Sequence, residues 1–401
     1  MATRRFGSWR LGLVGALLLV ASPRLFSDYF YNSKDAVFLA AFTGAVATAV
    51  PFIRRPTWRG AVAHAFVCAL AINVRLMGTL VPAATLAMVG LQAVRGAYRG
   101  RPVLALVGTY CTLLVGLVVA MWPFLWEAPL TNFVAAWRAM SHFRIHGQIM
   151  YRGALVYIDQ LPWHYTLVWI GITVPLLYLL LWAGGAACAL RQLAKRSWRL
   201  YATEAEWQDL LFLGLNLAPL VAVIALHSVL YNGWRQLYFL YPMLLLVALR
   251  GLVAAWEWLP PGQVARRYWQ PVLFVVIGSS LAVIAGRMVR LHPLENLYFN
   301  ALAPTPVERY YETDYWGLSQ RIGLEWVAQH NSRPLVRVCS NTPWGLMVAH
   351  RILPDAMRRR LVPVLDTEEA DYVLDRSFNW RPNKVTAPPQ VFWADDIHIL
   401  D

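Results

Sequence analysis

Of the chain's 401 residues, 58% are hydrophobic and only 14% are charged. That balance excludes an ordinary soluble globule. The 36 Lys and Arg against 22 Asp and Glu would suggest nucleic acid in a soluble protein, but in so apolar a chain they mark cytoplasmic loops, and no nucleic-acid partner is expected.

A hydrocarbon core about 30 Å thick takes roughly 20 mostly apolar residues. Spans are expected at 10–23, 36–53, 60–75, 77–94, 102–122, 165–190, 209–230, 236–256 and 270–288, nine in all. The predicted fold is an all-α polytopic membrane bundle over 1–291, followed by a small α/β or α+β domain over 292–401. Cations gather in alternate loops: Arg4 and Arg5, then Arg54, Arg55 and Arg59, then Arg95, Arg99 and Arg101. The series continues with Arg191, Lys195, Arg196 and Arg199, and ends with Arg266 and Arg267. The other loops are poorer in cations and carry Asp28, Asp35, Glu127 and Asp159. The positive-inside rule then puts the N-terminus in the cytoplasm and the C-terminal domain outside, on a multi-pass protein of the inner (plasma) membrane.

The first outer loop, 22–35, reads SPRLFSDYFYNSKD. It holds two carboxylates (Asp28, Asp35), two cations (Arg24, Lys34) and the aromatics Phe26, Tyr29 and Tyr31. Arg75 stands at the outer end of its span, where it is either a snorkelling anchor or an anion-binding cation. In the long outer loop 127–164, Phe133, Trp137, Met140 and Phe143 recur at helical spacing, which predicts an amphipathic surface helix over 132–146. His142, Arg144 and His146 would line its polar side. The two histidines, four apart, could share a metal, although no carboxylate follows at ligand spacing. No cofactor is certain, and a divalent metal stays open.

Leu161-Pro162-Trp163-His164-Tyr165 enters the next span. A later outer turn, Tyr231-Asn232-Gly233-Trp234-Arg235, carries the Asn-Gly pair of a tight turn. From about His292 the chain turns polar, with an expected helix over 318–330 and short strands at 335–339, 372–374 and 397–400. Cys68, Cys111 and Cys188 fall in expected spans and Cys339 stands alone, so neither disulfides nor a metal spacing is implied.

The polar residues near the outer face form one layer: Asp28, Lys34, Asp35, Arg75, His142, His146, His164, His227 and Arg235. A carboxylate there could act as general base toward a hydroxyl. The cations could hold a phosphate, and aromatics such as Tyr29, Tyr31, Trp163 and Trp234 could form a platform for a sugar or an isoprenoid. The same residues also suit an ordinary membrane interface.

Ser22-Pro23-Arg24-Leu25-Phe26 followed by Phe30-Tyr31-Asn32-Ser33-Lys34-Asp35 resembles the loop of multi-spanning glycosyltransferases that use polyprenyl-phosphate sugars. The similarity is to the bacterial protein mannosyltransferase and aminoarabinose-transferase-like superfamily. Leu161–Tyr165 as quoted, Tyr231–Arg235 with Tyr238, Phe239, Tyr241 and Pro242, and Tyr298-Phe299-Asn300 with Asp314-Tyr315-Trp316-Gly317-Leu318-Ser319 resemble further segments of it. The likeness extends from Arg4 to about Trp326.

The resemblance implies a helical bundle with its active site on the extracytoplasmic side, a lipid-phosphate sugar donor, and inversion at the anomeric carbon. It implies catalytic acids in the first two outer loops. Asp35 matches the second, and Asp28 stands in for the first without support from the family pattern. Lys34, Arg75, His164, Trp234 and Arg235 would bind the donor. The family's first span and large first outer loop would precede Arg4, so an N-terminally truncated chain is expected. The acceptor is not identified. Two alternatives stand beside the enzyme: a catalytically altered relative that binds lipid-linked sugar, and a transporter or membrane scaffold.

Overall fold

A computed structural model describes residues 1–100, 102–141, 147–258, 262–375, 392–394 and 397–400. Two compact units divide the chain, Met1–Ile145 with Pro162–Ser280 and His146–Leu161 with Leu281–Asp401.

The first unit is helical. It opens with α1 (Ala2–Phe6), α2 (Trp9–Val20) and α3 (Pro23–Tyr31). Next come α4 (Asp35–Arg54), α5 (Trp58–Val74), α6 (Leu80–Val94), α7 (Val103–Met121) and α8 (Pro129–Ser141). After a hairpin, α9 (Tyr165–Thr173), α10 (Leu176–Arg196), α11 (Glu204–Ala225), α12 (Tyr241–Glu257) and α13 (Gln263–Leu291) follow. Local chemistry sets several starts. Ser8 Oγ accepts from Leu11 N at 3.4 Å, Thr57 Oγ1 from Gly60 N at 3.1 Å, and Thr203 Oγ1 from Glu206 N at 3.2 Å.

Among the described residues, seven helical segments are long and apolar enough to cross a membrane, and eight if the pair α2 and α3 counts as one span. The sequence pattern predicts nine. The ninth is α5, which is apolar but only 17 residues long. The first predicted span, 10–23, is α2, whereas the outer loop expected over 22–35 is mostly a helix, α3, which meets α2 at a bend of 68°. Pro23 stands at the start of α3, where its ring suits a helix's first turn but cannot continue a helix from before it. The span expected at 165–190 is two helices, α9 and α10, parted at Val174-Pro175. The surface helix expected over 132–146 is α8. Phe133 packs near Val118 and Leu125, while Trp137 and Met140 stay exposed. Phe143 and the residues His142, Arg144 and His146 lie outside the described residues.

Close helix packing needs small residues. A Cβ on Gly185 of α10 would fall 1.9 Å from Val247 O, and one on Gly251 of α12 would fall 1.9 Å from Leu181 O. The two backbones therefore touch, as small residues allow between apolar helices. Within the bundle, His64 is wholly buried. Its Nδ1 lies 2.9 Å from Thr48 Oγ1, its Nε2 lies 3.0 Å from Thr85 Oγ1, and its ring stacks on Tyr110 at 4.9 Å. This polar knot ties α4, α5, α6 and α7 together. The sequence pattern places polar groups only at the faces and does not show it.

The second unit begins inside α13, earlier than the boundary expected at 291/292, and takes in the hairpin of β1 (Gln148–Tyr151) and β2 (Ala154–Tyr157). The hairpin is held there by backbone bonds, Gly153 N to Tyr310 O at 3.0 Å and Glu312 N to Met150 O at 3.3 Å. Beyond it come α14 (Gln320–His330), β3 (Val336–Ser340), α15 (Pro343–Arg351), α16 (Asp355–Arg358), β4 (Leu361–Pro363) and β5 (Tyr372–Leu374). The last strands are β6 (Phe392–Ala394) and β7 (Ile397–Leu400), an antiparallel pair. β3 is central in a three-stranded parallel sheet of order β4-β3-β5, with Val336 opposite Leu361 and Val338 opposite Tyr372. Buried Leu324, Val327, Val338, Leu346 and Leu361 give this α/β module its core.

Candidate functional site

Asn32 is the hinge of the site. It caps the end of α3, its backbone N–H donating to Asp28 O at 2.9 Å. Its side-chain carbonyl accepts from Asp35 N at 3.0 Å, just where α4 begins. Its amide donates to Asp35 Oδ2 at 2.8 Å and to Asp28 Oδ1 at 3.3 Å. One amide thus draws two carboxylates together across the turn between α3 and α4. Asp35 also sits in the first turn of α4, where the helix dipole favours a negative charge.

Two arginines from distant segments close on Asp35. Arg75, in extended backbone after α5, ion-pairs with Asp35 Oδ1 through Nη2 and anchors Nη1 on Gln236 O at 3.1 Å. Arg235 Nη1 lies 3.3 Å from Asp35 Oδ2, and its guanidinium sits 4.9 Å over the Tyr231 ring. The Asp35 side chain is 2% exposed, and those of Arg75 and Arg235 are 17% and 12% exposed. Asp28 is buried too, and Tyr238 lies close to it. Arg24, on α3, lies 5.3 Å over the Trp169 ring.

A cavity of about the size of one water lies beside this cluster at the bend between α2 and α3. Ser22, Arg24, Leu25, Thr173, Trp234, Tyr238 and Tyr241 are among the residues that line it. Trp234 donates from Nε1 to Thr173 Oγ1 at 3.0 Å and lies nearly parallel to Tyr241, 5.7 Å away. The turn before Trp234 is held by Gly233, whose φ of +74° suits glycine, and whose N–H donates to the Tyr165 hydroxyl at 3.0 Å. A Cβ at Gly233 would also come within 3.4 Å of the Trp169 ring.

Of the residues singled out in the sequence, Asp35, Arg75 and Arg235 come into direct contact, Asp28 joins them through Asn32, and Trp234 lines the adjoining cavity. Lys34 does not join. It is exposed, and its side chain makes no hydrogen bond or ion pair among the described residues. His164 starts α9 half-buried, with Trp163 edge-on to its ring at 5.5 Å. Arg75 and Arg235, expected to grip a phosphate, here face a carboxylate of the same chain. Asn32, Arg24 and Tyr238 are members to which the sequence reading gives no site role. A signal for the bridging role of Asn32 is its place four residues after one Asp and three before another.

The cluster has chemical consequences. Three arginines (24, 75, 235) and two aspartates (28, 35) gather around this turn. Both oxygens of Asp35 face cations, so a divalent metal there would have to displace a guanidinium. Among the described residues, no three His, Cys, Asp or Glu side chains converge as a metal site would need. The pair His142 and His146 lies outside the described residues. Compared with family models, with curated proteins and with solved structures, the chain finds no match in any of the three.

Proposed function

We propose that the chain is an integral membrane glycosyltransferase that moves a sugar from a polyprenyl-phosphate carrier to an acceptor hydroxyl on the extracytoplasmic face. The observation that carries this reading is the convergence of Asp28, Asp35, Arg75 and Arg235 from separate helix ends of an apolar bundle, with the aromatic side chains Trp234, Tyr238 and Tyr241 alongside. The order of the segments that resemble polyprenyl-phosphate-sugar enzymes supports it as well.

The geometry suggests how such a reaction would run. The carrier's phosphate competes with Asp35 for Arg75 and Arg235, since guanidinium matches phosphate and carboxylate alike. Drawing a guanidinium toward the phosphate frees an Asp35 oxygen. That oxygen takes the proton of the acceptor hydroxyl as its oxygen bonds to the anomeric carbon. The bond from that carbon to the phosphate oxygen breaks, and the phosphate keeps the electron pair against the arginines. Asp28, with Tyr238 and Asn32, holds the acid pair in place.

A second reading draws on the same contacts. Because both Asp35 oxygens are engaged, the cluster also suits a relative that binds lipid-linked sugar without turning it over. Purified protein in nanodiscs separates the two. Arg235→Ala should weaken binding of polyprenyl phosphate roughly 10- to 100-fold, the loss of a charge-assisted bond of about 1.5–3 kcal/mol. Asp35→Asn should abolish transfer from polyprenyl-phosphate mannose per molecule of folded, inserted protein. Binding without any transfer in the parent chain selects the non-catalytic relative. Polyprenyl phosphate binding no better than phosphatidylglycerol removes both readings.

A further inference from the structure

The outer face of α15 has no role in the site above. The helix buries Gly345, Leu346 and Ala349 toward the sheet of its own unit. Its opposite face exposes Trp344 (75%), Met347 (40%) and Val348 (44%), and Ile352 just past its end (57%). With Arg351 these positions run i, i+3, i+4, i+7, i+8, one continuous stripe of a helix. Soluble surfaces scatter large apolar side chains singly, whereas a contiguous stripe marks a surface that meets something apolar.

Cations flank the stripe. Arg351 and Arg359 are exposed, and neither makes an ion pair among the described residues. Arg358 ion-pairs with Asp355 and donates to Arg351 O at 3.3 Å, which keeps α16 beside the end of α15. His350 helps to hold that corner, its Nε2 lying 3.1 Å from Arg358 O and 2.9 Å from Leu361 O. Tryptophan beside aliphatics and arginines is the composition of helices that lie at a headgroup layer.

The chain itself indicates the occupant. This unit includes Leu281–Asp401, so the last turns of α13 belong to it, and α13 is one of the segments long and apolar enough to cross a membrane. The module is covalently carried by such a segment, which keeps a bilayer surface at high local concentration. Unpaired arginines complement anionic headgroups. We infer that the Trp344–Met347–Val348–Ile352 face of α15 rests in the headgroup layer of the membrane that anchors the chain, with Arg351 and Arg359 on anionic lipid. This docking is independent of any catalytic reading.

The test uses the full chain with a nitroxide on Val348→Cys, reconstituted in vesicles of phosphatidylcholine with one-third phosphatidylglycerol. The parent chain, labelled in parallel, corrects for the native cysteines. The expected result is a label several-fold more accessible to oxygen than to a water-soluble nickel chelate. In the Trp344→Glu/Met347→Glu background the preference should reverse. In phosphatidylcholine alone at high salt it should weaken, because screening shortens the reach of the arginines. Continued shielding of the buried Cys339 from maleimide shows that the module stays folded in each variant, and Ile352→Cys offers a second reporter. A label open to nickel in every vesicle overturns the inference. So does a label closed to both reagents, which means that protein covers the face, either a second copy or residues 376–391 of this chain.

Discussion

At the scale of single residues, the centre of the molecule is one carboxylate. Asp35 is buried, and breaking a buried ion pair from one side costs more than the pair is worth, because a charge is left uncompensated. Arg75→Gln alone is therefore expected to lower stability by about 2–4 kcal/mol, somewhat less than a full loss because Arg235 remains. Asp35→Asn alone should also destabilise, since it leaves two arginines facing a neutral amide. The double variant should recover about 0.5–3 kcal/mol relative to the sum of the singles, the range for groups in one network. Thermal unfolding of the four proteins in detergent measures this. Strict additivity would mean that Asp35 and Arg75 do not interact.

At the scale of elements, the bundle is decided by what its helices can bring close. Gly185 and Gly251 put α10 and α12 in backbone contact, and a side chain at either would collide with a carbonyl that cannot move aside. Gly251→Leu should cost at least the roughly 1–3 kcal/mol of overpacking and leave little folded protein. Gly90→Leu, on α6, meets nothing within 4 Å and should leave the melting temperature nearly unchanged. Size-exclusion profiles and melting temperatures distinguish them. Equal loss at both sites would show that the close approach of α10 and α12 is not what the Gly251 substitution disturbs. The element scale is also where the expected spans departed from the observed ones. Hydropathy reports apolar length but not direction, so it cannot show that α2 and α3 are bent at 68°, or that Pro175 parts α9 from α10.

At the scale of the whole molecule, the two units answer to different conditions. In the second unit, Tyr151 on β1 packs against Tyr311 at 5.9 Å. Burial, with the neighbouring Tyr311 adding to it, pushes the Tyr151 phenol up to about 12. The unfolded chain ionises its tyrosines near pH 10. Below that pH both states hold the proton and the group is neutral to stability. Between pH 10 and about 12 the unfolded form loses its proton first, so stability falls as pH rises. Tyr151→Phe should flatten that fall in denaturant titrations of the full chain. An unchanged slope would place the alkaline sensitivity elsewhere.

By itself, the sequence determined the class of the molecule: an apolar helical chain able to cross a membrane, with a small module of helices and short strands. Apolar length, turn residues and caps are local properties, so they can be read in order along the chain. It also supplied Asp35, Arg75 and Arg235 as separate candidates. Only the tertiary structure decided that these three meet, because Asp35 and Arg235 stand 200 positions apart and the bond between them depends on how α4 packs beside the turn before α12. The same holds for Asn32, whose bridging role needs both carboxylates in place, and for His64, whose hydroxyl partners come from two other helices. Lys34 shows the converse. It is adjacent to Asp35 in sequence, but the start of a helix turns neighbouring side chains to different faces, and this one points to the surface.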